Sequence, residues 1–274
     1  MEKQEWELFL DRMLAQGEQI RAAGMPVRQD GYSVILVQLA EVSRLAQLHK
    51  FLLMQREEHL FISQPVAYQQ GYLLVAGGGE ALLGDLLVDW QMDFGEQYGA
   101  EVAMSIGGSH DLLDIYQSFR EARMAGFFQL VTGKRTFVQN FNRMGLFTNL
   151  FRQSSAELTA FCQQTIGPLQ EYDKAFNTRL IETLQALLEE DFNWTKTAAR
   201  LFVHVNTLRY RYEKIRQILD MDESLAMRAN LFAAVRTAEV LRALQMTQVS
   251  VLRPKKQERK DVIWHADKKA AVSF

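Results

Sequence analysis

The chain has 274 residues, of which 48% are hydrophobic and 23% are charged, and its formal net charge is −2. These values are ordinary for a soluble globular protein of one or two domains with a sizeable core. The single cysteine, Cys162, excludes an internal disulfide framework and a cysteine metal site. No stretch approaches the ~20 apolar residues that span a bilayer, and the acidic start lacks the features of a secretory signal, so we expect a cytoplasmic protein.

Residues 1–26 predict an amphipathic helix over about 3–23 that ends near Gly24-Met25-Pro26. The apolar positions at helical spacing are Trp6, Phe9, Leu10, Met13, Leu14 and Ile20. Two roles stay open for this helix. It either packs on the domain that follows, or serves as a dimer contact or signalling arm.

Residues 27–132 predict an α+β domain. In chain order we expect a strand at 31–37, a helix at 41–55, a hairpin of strands 59–67 and 71–76, a helix at 80–98, a strand at 101–106 and a helix at 111–127. The inward residues expected of the first helix are Val42, Leu45, Leu48 and Leu52. The order β-α-β-β-α-β is that of a ferredoxin-like domain, with one extra helix at its end.

The segment SIGGSHDLLDIYQSFREARMA is similar to the last strand and following helix of the cyclase-like GGDEF-type domain of PucR/CdaR regulators. Active cyclases of this kind need acidic residues on the central hairpin and the first strand to hold two metal ions. Here the hairpin turn is Gln69-Gln70-Gly71, and neither it nor the first strand carries a carboxylate. We therefore expect a degenerate domain, no enzyme activity and no cofactor.

Two glycine-rich stretches are expected to have structural roles. The first, Gly77-Gly78-Gly79-Glu80, follows the hairpin and is expected to begin the next helix. The second, Gly107-Gly108-Ser109, lies between a strand and a helix, where its amides could hold a phosphate, although a tight turn is the simpler expectation. The five histidines have no spacing that suggests a metal site.

Residues 133–176 are expected to connect two domains. They predict a short strand at 136–139 and helical pieces at 146–151 and 156–165, the second ending at the break Gly167-Pro168. A helix at about 177–190 then precedes the most informative segment of the chain.

That segment, Asn193 to Leu219, predicts two short helices joined by a tight turn at Phe202-Val203-His204. Asn193 is a good N-cap for the first helix. The second helix has apolar positions at steps of three and four, namely Val205, Leu208, Tyr212, Ile215 and Leu219. Phe202 stands where such turns usually have glycine, so we expect a turn without a positive φ there.

Six basic residues and one acidic residue give this segment a charge of +5, which is unusual within an acidic chain. A helix-turn-helix places the start of its second helix in the DNA major groove. The expected base contacts are His204, Val205, Asn206 and Tyr210. The expected phosphate contacts are Thr195, Lys196, Arg200, Thr207, Arg209 and Arg211. The alternative is an ordinary helical hairpin with a solvated basic face.

The run from Ile166 to Leu219, with TRLIETLQALLEEDFNWTKTAARLFVHVNTLRYRYEKI, closely resembles the C-terminal domain of PucR/CdaR-type bacterial transcriptional regulators. The resemblance covers about 133–245. It implies a Fis-like helix-turn-helix in a sequence-specific, homodimeric regulator of double-stranded DNA under the control of an unidentified small-molecule effector. The competing hypothesis is a small-molecule or protein-interaction sensing module whose cyclase-like domain binds a ligand without catalysis.

A last helix is expected at about 224–245, so that the DNA-binding domain spans 177–248. Residues 249–274 form a basic tail, with seven basic and three acidic residues over 253–269. A solvated tail and an added phosphate contact both suit this composition.

Overall fold

The computed structural model describes residues 31–55, 61–77, 79–111, 114–222 and 224–251. The helix expected over 3–23 and the tail beyond 251 lie outside these residues. The described part is an α+β structure: a sheet with helices on both faces, followed by a helical region.

The strands are β1 (Tyr32–Leu39), β2 (Phe61–Ile62), β3 (Val66–Tyr68), β4 (Gly71–Gly77), β5 (Val102–Ile106) and β6 (Phe137–Asn140). The α-helices are α1 (Leu45–Met54), α2 (Glu80–Tyr98), α3 (Ile115–Val131), α4 (Leu146–Phe151), α5 (Ser155–Phe176), α6 (Leu180–Glu189), α7 (Trp194–Arg200), α8 (Val205–Leu219) and α9 (Leu225–Val251). Short 3-10 helices cover Val42–Arg44 and Phe141–Arg143.

The sheet has the strand order β2-β4-β1-β5-β6, with β3 also paired to β4. The pairs β1–β4 and β1–β5 are antiparallel, whereas β5 and β6 are parallel. The strand β6 falls in the region expected to connect two domains, and it extends the sheet.

Both faces of β1 are buried, which explains its continuous apolar sequence. Its residues Ile35, Val37 and Leu39 pack with α1 and α2 on one face. Val34 and Leu36 face the other way and pack with Ile115, Phe119 and Ala122 of α3. The sheet is therefore a central layer between two helical layers.

The hairpin turns at Gln69-Gln70, as expected, because Tyr68 pairs with Gly71 across it. Glycine is required at Gly71, where a Cβ would lie 1.8 Å from the carbonyl oxygen of Val37. Gly79 is the N-cap of α2, so the helix begins where the sequence predicted.

Three expectations about local structure were wrong. Val42 is 52% exposed because it lies in the 3-10 turn that precedes α1. The helix expected at 111–127 is α3, which runs from Ile115 to Val131. Pro168 does not break α5: it removes one backbone donor, and burial of Ile166 and Leu169 on both sides of it outweighs that loss.

The long helix α9 joins the two parts of the molecule. Ala233 and Val240 pack in a cluster with Met124 and Ala125 of α3. Leu231 and Val235 pack in the core of the helical region with residues of α5, α6 and α8. No helix of the described residues is long and apolar enough to cross a membrane.

Candidate nucleic-acid interface

Helices α6, α7 and α8 form a compact unit around one apolar core. Leu184 and Leu187 of α6 pack there with Ala198 of α7 and Leu208 of α8, all of them buried. Tyr212 closes the core, with its ring edge-on to Trp194 at 5.3 Å between centroids. The small Ala198 lets α7 approach its neighbours closely.

Side chains cap both helices of the helix-turn-helix. The Oδ1 atom of Asn193 accepts a hydrogen bond of 3.0 Å from the backbone N–H of Lys196, which confirms the predicted N-cap of α7. His204 caps α8, since its Nδ1 accepts from the backbone N–H of Asn206 at 3.2 Å. This bond directs only one ring nitrogen inward and leaves Nε2 for an external partner.

The turn between α7 and α8 is a Schellman motif. The N–H of Val203 donates to the carbonyl of Ala198 at 3.0 Å, and the N–H of Phe202 donates to that of Ala199 at 3.2 Å. Phe202 has φ of +53°, so the expectation of a turn without a positive φ was wrong. The reason is that the two hydrogen bonds of this motif require a left-handed residue at the position of Phe202.

The first turns of α8 present polar side chains to solvent. Asn206, Thr207, Arg209 and Tyr210 are exposed, and Tyr210 is 74% accessible. Within the described residues these four side chains have no hydrogen-bond or ion-pair partner. Thr195 and Lys196 at the start of α7 are exposed in the same way.

Three other predicted site residues are engaged within the protein. Val205 is half-buried and packs against the core of the unit. The Nη1 atom of Arg211 lies 3.4 Å from Oγ1 of Thr183. Arg200 pairs with Glu190 at 3.2 Å and also with Glu189.

The ion pairs of Arg200 also raise the pKa of its guanidinium. Partial burial by itself would lower the pKa of Arg200, but the charges and hydrogen bonds of Glu189 and Glu190 outweigh burial and raise it. The two carboxylates hold the guanidinium at the end of α6.

An ionic cluster that sequence reasoning missed lies behind the helix-turn-helix. Arg236 of α9 is buried, and its Nη2 lies 2.6 Å from Oε1 of Glu189. Its Nη1 lies 2.9 Å from Oε2 of Glu239 and 3.5 Å from the carbonyl of Val131 at the end of α3. The sequence signals for this cluster are the i,i+3 spacing of Arg236 and Glu239 and the acidic residues at the end of α6.

The glycine-rich segment after β5 uses its amides for hydrogen bonds within the protein. Gly107 donates to the carbonyl of Val34 at 3.0 Å, and Gly108 donates to Oε2 of the buried Glu121 at 2.8 Å. His110 contacts the same carboxylate oxygen at 2.9 Å. The segment continues beside β1, where His110 and Tyr32 exchange backbone hydrogen bonds, so the expectation of a tight turn was wrong. The described residues hold no group of three or more histidine, cysteine and acidic residues that could bind a metal.

Residues 180–237 match the PucR C-terminal helix-turn-helix domain. The resemblance found in the sequence is thus confirmed for this segment, which contains α6, α7, α8 and the start of α9.

Two curated regulators are similar to parts of the chain. The DNA-binding transcriptional activator AdeR of Bacillus subtilis (strain 168) is 26% identical over 141 residues, which cover 48% of this chain and 32% of that protein. The transcriptional activator PmfR of Paenarthrobacter nicotinovorans is 39% identical over 89 residues, which cover 32% of this chain and 18% of that protein. The alignments thus span a third or less of these relatives.

Among solved structures, the regulator of polyketide synthase expression from Bifidobacterium adolescentis is 15% identical. The match covers 79% of this chain and 87% of that one, with a TM-score of 0.29.

Proposed function

We propose that this chain is a DNA-binding transcriptional regulator that inserts the start of α8 into the major groove. The observation that carries the proposal is the row of exposed, unpaired polar side chains on a segment that matches a helix-turn-helix domain. The helix already fixes the backbone of these residues, so binding orders only their side chains, which costs less than ordering a mobile loop.

The contacts divide by their position on the unit. We assign base contacts to Nε2 of His204, to Asn206 and to Tyr210, because they lie on the first two turns of α8. Thr195, Lys196, Thr207 and Arg209 are assigned to phosphates. Val205 has only part of its surface left for a thymine methyl group, and Arg200 and Arg211 reach phosphates only by leaving or sharing their internal partners.

We further propose that two copies bind together. One helix contacts only a few base pairs, and a pair of half-sites roughly squares the discrimination between sites. A regulator of this kind acts in the compartment that holds the DNA, which for a bacterial cell is the cytoplasm.

For the sheet region we propose a ferredoxin-like, cyclase-like domain without catalysis. The order of the hairpin strands, β1 and β5 supports the ferredoxin-like part of this proposal. The hairpin turn has glutamines where such enzymes need carboxylates, and Gln38 donates to Gln69 at 3.1 Å there. A cavity beside this turn, reaching Arg123 of α3, has room for about one water molecule and gives no support to a nucleotide site. We also propose that a small-molecule effector controls DNA binding.

The test is selection of bound duplexes from a random DNA pool with the full chain, followed by titration of the selected duplex. We expect an inverted repeat, as two copies related by a twofold axis require. The change Arg209→Ala should weaken binding about tenfold or more and reduce the slope of log affinity against log salt by about 1.8, because each of the two bound copies loses one phosphate contact.

The matched control is Arg216→Ala. This change removes the same charge from the same helix. Arg216 lies two turns further along α8 than Arg209 and pairs with Glu213 at 3.3 Å. A selection that enriches no sequence, or equal effects of the two changes, would contradict the proposed function.

A further inference from the structure

Phe202 has the most exposed of the large apolar side chains in the described residues, at 96%. Its backbone is left-handed, which a residue with a Cβ adopts only at a cost and which glycine adopts freely. The Schellman motif needs this backbone conformation but makes no use of the ring. The fold alone would therefore favour glycine at this position.

A second phenylalanine also has a left-handed backbone, and packing within the protein explains it. Phe192 has φ of +57° in the turn between α6 and α7. Its ring packs edge-on to Tyr212 at 5.9 Å and lies under the guanidinium of Arg228 at 4.4 Å. Packing explains the strained backbone of Phe192, whereas Phe202 makes no comparable contact within the described residues.

The surroundings of Phe202 favour DNA over protein as its partner. Protein interfaces present contiguous apolar patches, and their cores are depleted of charge. Phe202 is followed instead by the exposed His204, and the exposed residues at the start of α8, Asn206, Thr207 and Arg209, are polar or basic. A single apolar side chain next to polar and basic ones matches a DNA duplex. The thymine methyl groups and deoxyribose rings of a duplex are apolar and lie close to charged phosphates.

We propose that Phe202 is a specificity-determining residue that packs on an apolar group of the duplex, either a thymine methyl or a deoxyribose. It stands two residues before the cap of α8, so it follows α8 to the edge of the groove. This inference rests on the proposed function. It assigns to the turn an apolar contact in addition to the polar contacts of α8.

The experiment compares Phe202→Gly with the full wild-type chain on the duplex selected by the wild type. Glycine suits the left-handed backbone, so the variant should unfold at the same or a higher temperature. Its affinity for the selected duplex should fall about fivefold or more, with an unchanged salt slope because no charge is removed. The control Phe176→Ala removes another exposed phenylalanine, at the end of α5, and should leave affinity unchanged.

Replacing each thymine of the duplex by deoxyuridine separates the two DNA groups, since it removes only the methyl. A loss with the wild type that disappears in Phe202→Gly identifies a thymine methyl, and an additive pattern identifies the sugar.

Unchanged duplex affinity in Phe202→Gly overturns the inference, as does a change in oligomeric state that accounts for the whole loss of affinity. In both cases binding by the wild type would leave the proposed function intact. If the wild type binds no duplex at all, the proposed function itself fails.

Discussion

The outward face of α8 and the cluster at the junction of α6, α7 and α9 use the same residue types in opposite ways. On α8, Arg209 is exposed and has no partner within the described residues. At the junction, Arg236 is buried between Glu189 and Glu239, and Arg200 is held by Glu189 and Glu190. The charge on α8 is available to another molecule, whereas the charges at the junction are paired with carboxylates of the same chain.

The difference teaches that a local charge count overstates what a helix-turn-helix offers to DNA. The +5 of residues 193–219 includes Arg200, yet its neutralising partners lie just before the counted segment. Availability of a charge is thus decided by tertiary pairing, and each region can be perturbed separately to test this.

The largest effect is expected from Arg236→Met. It leaves Glu189 and Glu239 without their buried partner, and breaking a buried pair in this way costs about 3–5 kcal/mol. Chemical denaturation should show this loss in the free energy of unfolding. The control Arg216→Met removes a partly exposed arginine whose partner Glu213 is exposed, and it should cost less than about 1 kcal/mol. Equal losses would mean that the junction is no more dependent on its charges than the surface of α8.

A smaller effect separates Arg200 from Arg209. We expect Arg200→Ala to lower stability by about 1 kcal/mol, because its two carboxylate partners lose a cation, and to leave the salt slope of duplex binding unchanged. Arg209→Ala should do the reverse, with unchanged stability and a shallower slope. Thermal unfolding and duplex titration at several salt concentrations measure both quantities. A reduced salt slope in Arg200→Ala would show that Arg200 leaves its carboxylates to bind a phosphate.

The sequence predicted those elements whose periodicity and end signals agree. The helix α2 begins after Gly79 and ends at Tyr98, as expected from the glycine run and the apolar spacing. Asn193 caps α7 and Leu208, Tyr212 and Ile215 are buried, because one face of a 3.6-residue period must pack.

Other features depend on partners far along the chain, which local patterns do not reveal. The pairing of Arg236 with Glu189 joins residues of two helices, and Arg211 reaches Thr183 over 28 positions. The continuity of α5 through Pro168 depends on apolar packing against other helices. The positive φ of Phe202 follows from two turn hydrogen bonds, whereas residue preference alone favoured another turn.

Two buried threonines test how much a hydrogen bond contributes, with an expected change of about 1 kcal/mol in the free energy of unfolding for each. Thr197 is fully buried, and its Oγ1 has no hydrogen-bond partner in the described residues. Thr197→Val should therefore stabilise the protein by about 1 kcal/mol, since it removes an unpaired hydroxyl and keeps the shape of the side chain.

The same change at Thr183 should destabilise by a similar amount. Thr183 is equally buried, but its Oγ1 donates to the carbonyl of Arg179 at 2.8 Å. Denaturant midpoints of both variants measure the two effects. Stabilisation by both changes would indicate that hydrogen bonding at Thr183 contributes nothing net.

The smallest effect tests whether burial or pairing dominates at the junction. Burial raises the pKa of the Glu239 carboxyl above its ordinary value, and the charge and hydrogen bond of Arg236 oppose this without cancelling it. A raised folded-state pKa gives stability that is fully present below the unfolded-state pKa and is lost as pH rises through the folded-state pKa.

Glu239→Gln stays neutral at every pH and can still accept a hydrogen bond from Arg236. The unfolding temperature of Glu239→Gln minus that of the wild type should therefore increase as pH rises from the ordinary carboxyl pKa through the raised one. Above that window the difference should be constant, because Glu239 is then ionised in both states. Thermal unfolding from about pH 4 to about pH 8 measures this difference. A difference that falls over the same window would show that attraction to Arg236 exceeds the cost of burying the carboxylate, and the junction would then gain stability from its charge.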